Sequence, residues 1–172
     1  WGDGLAIDGK YYSSIGDHLA IGAKGDGTHG TGTAFVFEYD PQTQTLRKLV
    51  DTSKTLNLPK GHYTPGKIHS RLDLGSDGWL YFSTHRGSSK STTDQFHYQG
   101  DWIMRCDPRT GKTEVVVHAP VPKHCIPTST FDPQRLIFYG GTAAGSEDDP
   151  NPIQFFAYDV KNKKMLYAGP DG

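Results

Sequence analysis

The sequence has no long apolar run and no excess of one charge. No hydrophobic stretch approaches the roughly 18 residues that a helix needs to cross a bilayer, so no membrane span is predicted. Its 18 Lys and Arg residues are balanced by 19 Asp and Glu residues, and the basic residues are scattered along the chain. Because a nucleic-acid-binding domain needs a concentrated basic surface, nucleic acid is excluded as a predicted partner.

Helical signals and cysteine are scarce as well. No segment keeps a 3.6-residue hydrophobic period between capping residues, so almost no helix is predicted. The two cysteines are Cys106 and Cys125. A disulfide between them would suit a secreted protein, whereas two buried thiols would suit any compartment, so the cysteines leave the compartment open.

Glycine, proline and aromatic residues are abundant, and they are arranged in a repeat. Three segments share an apolar strand followed by a turn that begins with Asp: residues 35–45, 102–112 and 154–164. The first turn position suits Asp40, Asp107 and Asp159, because a short carboxylate can accept a hydrogen bond from the backbone two residues on. A strand restarts after each turn, so the pattern predicts a repeated hairpin.

A second hairpin alternates with the first. It is seen at residues 72–82 and 129–138, with a weaker copy at 12–21. Two hairpins per repeat give four-stranded units at about 11–50, 66–118 and 124–168, and the polar stretch 87–100 is predicted to be an inserted loop. A β-sandwich also has short strands, but it would not place the same Asp turn in every unit. The fold class predicted is therefore all-β, a β-propeller segment of about three four-stranded blades in an incomplete ring, as a single partial domain over 1–172.

Two short patterns carry a resemblance to known propellers. The Asp-x-x-Leu-Tyr-Phe pattern at 77–82, followed by a Tyr-Asp-Pro turn, resembles blades of SMP-30/gluconolactonase-like and NHL-like propellers. The phrases Gly-Lys-Ile-His at 66–69 and Gly-Trp-Leu-Tyr-Phe at 78–82 look most similar to uncharacterised bacterial secreted propellers. This resemblance implies a propeller in a secreted or periplasmic protein. The calcium-binding Glu, Asn and Asp positions of the gluconolactonases have no clear match, so that activity is not carried over and no cofactor is predicted.

The stretch 61–75 is the richest in reactive side chains. If residues 69–74 form a strand, His69, Arg71 and Asp73 share one face, and they would approach the central channel from an innermost strand. The predicted ligand-binding residues are His62, His69, Arg71, His85, Arg86 and His124. The candidates for catalysis are His69, Arg71, His85 and Tyr63.

This set resembles the residues that polysaccharide-lyase propellers use on uronic acids, where a cation neutralises the carboxylate and His or Tyr removes the neighbouring proton. The alternative is a polar channel mouth without catalysis. When Phe82 is aligned with Phe138, Cys125 falls opposite His69, and a zinc site with His85 can be drawn. The spacing lacks any zinc signature, so no metal is assigned. Cys106 takes the place of a core Tyr in the repeat and is predicted to be buried.

Two polar segments are predicted to be loops. The glycine-rich run 22–33 lacks the Gly-Lys-Ser/Thr of a phosphate-binding loop, so it is interpreted as a hairpin connection. Residues 88–93 are predicted to form a mobile surface loop.

The function predicted is a secreted or periplasmic module that binds a ligand, for which a glycan is the candidate, at the channel mouth. The alternatives are a lyase or hydrolase of uronate-containing glycans and a structural platform for protein interactions. The chain starts at Trp1 and finishes in a turn sequence, and three blades cannot close a ring of about four to eight. We therefore expect further blades, from the same protein or from another chain.

Overall fold

A computed structural model of the chain describes residues 2–17, 32–146 and 150–170. Most of the glycine-rich run 22–33 lies outside these residues. The described chain forms three separate four-stranded antiparallel sheets, each with its strands in sequence order. Blade 1 contains β1 Leu5–Ile7, β2 Lys10–Asp17, β3 Thr33–Asp40 and β4 Thr45–Asp51. Blade 2 contains β5 Asp73–Leu74, β6 Leu80–Ser83, β7 Trp102–Cys106 and β8 Thr113–His118. Blade 3 contains β9 His124–Asp132, β10 Ile137–Ala144, β11 Gln154–Asp159 and β12 Lys164–Pro170.

Helix is limited to three short segments in the described chain. α1 Thr52–Leu56 begins where the Asp51 carboxylate accepts a hydrogen bond from Lys54 N, and it ends at Asn57 in the left-handed region. Two 3-10 helices follow, at Ser89–Ser91 and Asp94–Phe96. The fold-class prediction is thus confirmed: the chain is an all-β propeller segment of three blades in an open ring. None of these helices is long and apolar enough to span a membrane.

Three local predictions were wrong. Residues 12–17 lie within the single strand β2, and the hairpin of blade 1 turns at Asp8 and Gly9, whose φ values of 50° and 77° suit a tight two-residue turn. The predicted strand 69–74 is reduced to β5 Asp73–Leu74. The predicted loop 88–93 includes a 3-10 helix, and it buries Ser91 and Thr92 rather than leaving them at the surface.

Apolar layers between neighbouring sheets hold the blades together. One layer lies between blades 1 and 2 and includes Val36, Leu80 and Met104. The other lies between blades 2 and 3, where the Tyr81 and Phe131 rings stack with their centroids 4.3 Å apart. Blade 2 is therefore covered on both faces, and all four residues of β6 are buried.

The two ends of the strands differ, and each end forms one edge of the blades. The hairpin turns of all three blades lie at one edge, which we call the turn edge: residues 8–9, 40–44, 75–78, 107–112, 132–136 and 159–163. The opposite edge, which we call the loop edge, carries the connections 52–72, 84–101 and 119–123, and the first two are much longer than any turn of the turn edge. Both cysteines are free and buried, so they form no disulfide; Cys106 packs in the layer between blades 1 and 2, as predicted.

Candidate functional site

Two connections of the loop edge run side by side and are joined at two points. Lys67 and His85 pair through both backbone groups, with N···O distances of 3.1 and 2.8 Å. Further along, Tyr63 N donates to Phe96 O over 2.7 Å. These hydrogen bonds fix the residues before β5 against the residues after β6, although the two segments are far apart in sequence.

Four basic side chains converge near the Lys67–His85 backbone pairing, where blade 2 meets blade 3. The His69 and His85 ring centroids are 5.5 Å apart, and His69 Nδ1 lies 3.0 Å from Pro127 O of β9. The Arg86 guanidinium donates to the carbonyl groups of Ala144 and Gly145, at the end of β10 in blade 3. We call the four residues the basic cluster: Lys67, His69, His85 and Arg86.

The positive charges of the basic cluster repel one another. Burial, together with the neighbouring charges of Lys67, Arg86 and His69, lowers the pKa of His85 to about 4. Burial and the Arg86 charge lower the pKa of Lys67 as well. Among the described residues, no carboxylate forms an ion pair with Lys67 or Arg86. The cluster therefore carries positive charge without an ion-paired carboxylate in the described part of the chain.

A fully buried carboxyl group lies beside this cluster. Asp101 accepts hydrogen bonds from the hydroxyl groups of Tyr63, Thr84 and Tyr98, at O···O distances of 3.0, 2.6 and 3.3 Å. Burial outweighs these donors and raises the pKa of Asp101 to about 7. The carboxyl group therefore holds its proton much more readily than an exposed Asp does, which reduces the negative charge beside the cluster.

Cys125 also lies in this buried region, but its thiol is not suited to act as a nucleophile. Its Sγ lies 3.5 and 3.6 Å from the carbonyl oxygens of Ala143 and Ala144. Burial, with the Asp101 charge, raises the pKa of the thiol to about 12. A protonated thiol is a poor nucleophile and a poor metal ligand.

The structure brings together only some of the predicted residues. His69, His85 and Arg86 are in the basic cluster. Arg71 is exposed and its Nε lies 3.7 Å from an oxygen of Asp73. Because residues 69–72 are not in a strand, the alternation that placed Arg71 beside His69 does not apply.

The other predicted residues have different partners. Tyr63 is buried, and its hydroxyl donates to Asp101, so its pKa is raised well above the usual value, chiefly by burial. His124 is buried, and its Nδ1 lies 2.8 Å from Thr142 Oγ1 of blade 3. His62 stacks on His97 with ring centroids 4.2 Å apart.

The zinc arrangement of Cys125, His69 and His85 is not formed. Within residues 2–17, 32–146 and 150–170, no three His, Cys, Asp or Glu side chains are placed to hold a metal ion. Sequence analysis also missed three residues of this site: Lys67, Tyr98 and Asp101. Of these three, only Lys67 could have been found from the sequence, since it belongs to the Gly-Lys-Ile-His pattern at 66–69.

Comparisons with known proteins identify no family and only a weak structural similarity. No family model matches the chain, and no curated protein matches it. Among solved structures, the chain is similar to one described as the crystal structure of a nidogen/laminin complex, with a TM-score of 0.36 and 11% identity over 80% of this chain. The match spans 59% of that structure's chain, and so weak a likeness carries no argument about function. No comparison supports the resemblance to SMP-30/gluconolactonase-like or NHL-like proteins. Of what that resemblance implied, only the propeller-like fold is supported.

Proposed function

We propose that the basic cluster binds the carboxylate of a uronate-containing glycan at the loop edge of the propeller. The observation that carries this proposal is the group of two cations and two imidazoles without an ion-pairing carboxylate in the described chain. An anionic ligand would supply the missing counter-charge and relieve the repulsion between Lys67 and Arg86. Imidazole nitrogens next to those cations suit the hydroxyl groups of a sugar.

Binding fits the geometry better than catalysis does. A lyase needs a base near the sugar, and a neutral His85 imidazole beside two cations has the required residue types. However, a general base works best when its pKa is close to the working pH, and the pKa of His85 is about 4. Tyr63 is no better, because its hydroxyl is buried and already donates to Asp101. A uronate-specific lyase is therefore the second candidate, with His85 as its base.

We also propose that the whole protein has further blades and acts in a secreted or periplasmic setting. The outward face of blade 1 exposes Tyr11, Ile15 and Leu46 by 48, 54 and 67%, and the outward face of blade 3 exposes Phe155 and Tyr167 by 40 and 52%. Neighbouring blades normally cover such faces. A secreted or periplasmic site agrees with a polymeric glycan as ligand, since such polymers lie outside the cytoplasm.

Calorimetric titration with a galacturonate tetramer tests the binding proposal. We expect measurable binding that weakens as salt is raised, because the contact is between charges. Lys67→Met should weaken it at least tenfold, since Lys67 Nζ forms no hydrogen bond to the described residues that the fold would lose. Lys164→Met, an exposed lysine on β12, is the matched control and should bind like the wild type.

The same titration separates the alternatives. Equal affinity in Lys67→Met and the wild type, or no binding by the wild type, would overturn the proposal and favour an interaction platform. New ultraviolet absorbance from unsaturated sugar ends during the titration would identify the lyase, and His85→Gln should then abolish it.

A further inference from the structure

A cavity opens on the loop edge, beside the point where Tyr63 N donates to Phe96 O. Its volume is about 230 Å³, which is room for one sugar-sized ring. The residues that line it are mainly aromatic and imidazole side chains: Leu58, His62, Tyr63, His97, Gln99, Trp102 and His118. We call it the imidazole pocket.

Two stacked ring pairs form its walls. The His62 and His97 centroids are 4.2 Å apart with an interplanar angle of 20°, and those of Trp102 and His118 are 4.4 Å apart at 6°. The Tyr63 ring lies parallel to Trp102 at 5.9 Å. The stacking holds these rings in place, so the pocket is formed before any ligand enters.

The lining of the imidazole pocket is mainly apolar, with a few polar nitrogen and oxygen atoms, and it has no permanent charge. It contains no Lys, Arg, Asp or Glu side chain. In the described chain, the ring nitrogens of His62 and His97 have no hydrogen-bond partner, and His118 uses only Nε2, at 3.2 Å from Gly100 O. Burial lowers the pKa of His118, which favours the neutral form of this ring. The pocket therefore offers hydrogen-bonding nitrogens and an amide above apolar ring edges.

This chemistry suits an uncharged sugar ring. A carboxylate would find no counter-charge here, and a hydrocarbon would leave the ring nitrogens without partners and cut off from water. A pyranose has hydroxyl groups around its rim and C–H groups on its faces. It can satisfy the nitrogens and contact the apolar edges at once.

The imidazole pocket and the basic cluster lie along the same pair of connections. His62 and Lys67 are five residues apart, so they are separated by at most about 18 Å of extended chain. His85 and Arg86 begin the second connection, and His97 and Gln99 are near its end. Tyr63 lines the pocket and also donates to Asp101 beside the cluster. One glycan chain can therefore reach both sites.

We propose that the imidazole pocket is a second subsite, which takes an uncharged sugar of the same glycan whose uronate is held by the basic cluster. The ligand class that follows is a glycan that contains both uronate and uncharged sugars. This inference rests on the proposed function and narrows it, because a polymer made of uronate alone would place a carboxylate in an uncharged pocket.

Two tetrasaccharides of equal length test the inference by calorimetry. One is a galacturonate tetramer, and the other is a hyaluronan tetramer, in which glucuronate alternates with N-acetylglucosamine. We expect the alternating glycan to bind at least tenfold more tightly to the wild type. His62→Ala should remove that advantage and leave the affinity for the galacturonate tetramer within twofold, whereas Lys67→Met should weaken both.

Lys90→Ala is the control, since this exposed lysine lies on the same connection and outside the pocket. Circular dichroism confirms that each variant is folded. Equal affinity for the two tetramers, or a preference that survives His62→Ala, would overturn the second subsite and leave the basic cluster standing. If neither tetramer binds, the proposed function itself fails.

Discussion

The two edges of the blades use the same residue, aspartate, in opposite ways. At the turn edge, Asp107 and Asp159 accept hydrogen bonds from backbone N–H groups two and three residues on, and these bonds lower the pKa of both. At the loop edge, Asp101 is wholly buried, and burial raises its pKa to about 7. Two of its three donors are distant in sequence: Tyr63 is 38 residues away and Thr84 is 17, whereas Tyr98 is three. The turn edge is thus built from local contacts in water, and the loop edge from long-range contacts in the interior.

The largest difference should appear when each kind of aspartate is removed. Asp101→Ala leaves three buried hydroxyl groups without their acceptor, and each such group costs about 1–3 kcal/mol. We expect the free energy of unfolding to fall by about 3–5 kcal/mol. Asp40→Ala, which removes the exposed bonds from Gln42 N and Thr43 N, should cost about 1 kcal/mol. Urea unfolding of both variants measures the contrast, and equal losses would show that burial of Asp101 does not dominate.

The next effect is a dependence of stability on pH at the loop edge. The folded pKa of Asp101, about 7, is above the value of 3.8 for an unperturbed Asp, so its contribution is complete below about pH 4 and is lost as pH rises towards 7. The folded pKa of His85, about 4, is below the unperturbed 6.5, so its contribution is complete above pH 6.5 and is lost as pH falls towards 4. Between pH 4 and 6.5 the two groups oppose each other.

Single variants uncover each contribution. One proton bound or released corresponds to about 1.4 kcal/mol per pH unit. Relative to the wild type, Asp101→Asn should therefore make stability rise more steeply from pH 4 to 6.5. His85→Gln should make it fall more steeply over the same range. Urea unfolding at intervals of half a pH unit gives the slopes. Slopes that match the wild type would mean that the two groups titrate alike in the folded and unfolded chains.

The same contrast explains what sequence analysis could and could not predict. The turns at Asp40, Asp107 and Asp159 were predicted because their hydrogen bonds reach only two or three residues along the chain. From those turns followed the strands, the four-stranded units and the propeller. Asp101 gave no such signal, because its partners are set by how the connections fold over the blades.

In the predicted site, some residue positions follow from local patterns and others from long-range contacts. His69 and His85 do lie together, but the reason is the backbone pairing of Lys67 with His85 and not a strand over 69–74. Arg71 was placed by the alternation of that strand, and without the strand it is exposed and pairs with the largely buried Asp73. Periodicity predicts regular elements well. It carries no information on irregular connections, whose positions depend on contacts with distant residues.

The smallest effect concerns a backbone feature shared by four of the six turns of the turn edge, those that begin at Asp40, Asp107, Asp132 and Asp159. The fourth residue after each of these Asp residues is in the left-handed region: Gln44 at φ 54°, Gly111 at 77°, Leu136 at 57° and Lys163 at 52°. In two of the turns, this residue's N–H donates to the Asp carbonyl, as Gly111 N does to Asp107 O over 2.8 Å. Only one of the four is glycine, the residue that adopts this conformation without strain.

Exchanging glycine and non-glycine at this position should therefore change stability in opposite directions. At Gly111 an added Cβ would lie 3.7 Å from Leu49 O, an ordinary contact, so Gly111→Ala tests the backbone strain alone and should cost about 1 kcal/mol. Lys163→Gly removes the same strain in blade 3, but glycine loses more conformational entropy on folding, so the gain should be below about 0.5 kcal/mol. Thermal unfolding measured side by side on the two variants gives both signs. Because no packing changes at either position, a loss in both would show that glycine's entropy outweighs the strain of the left-handed turn residue.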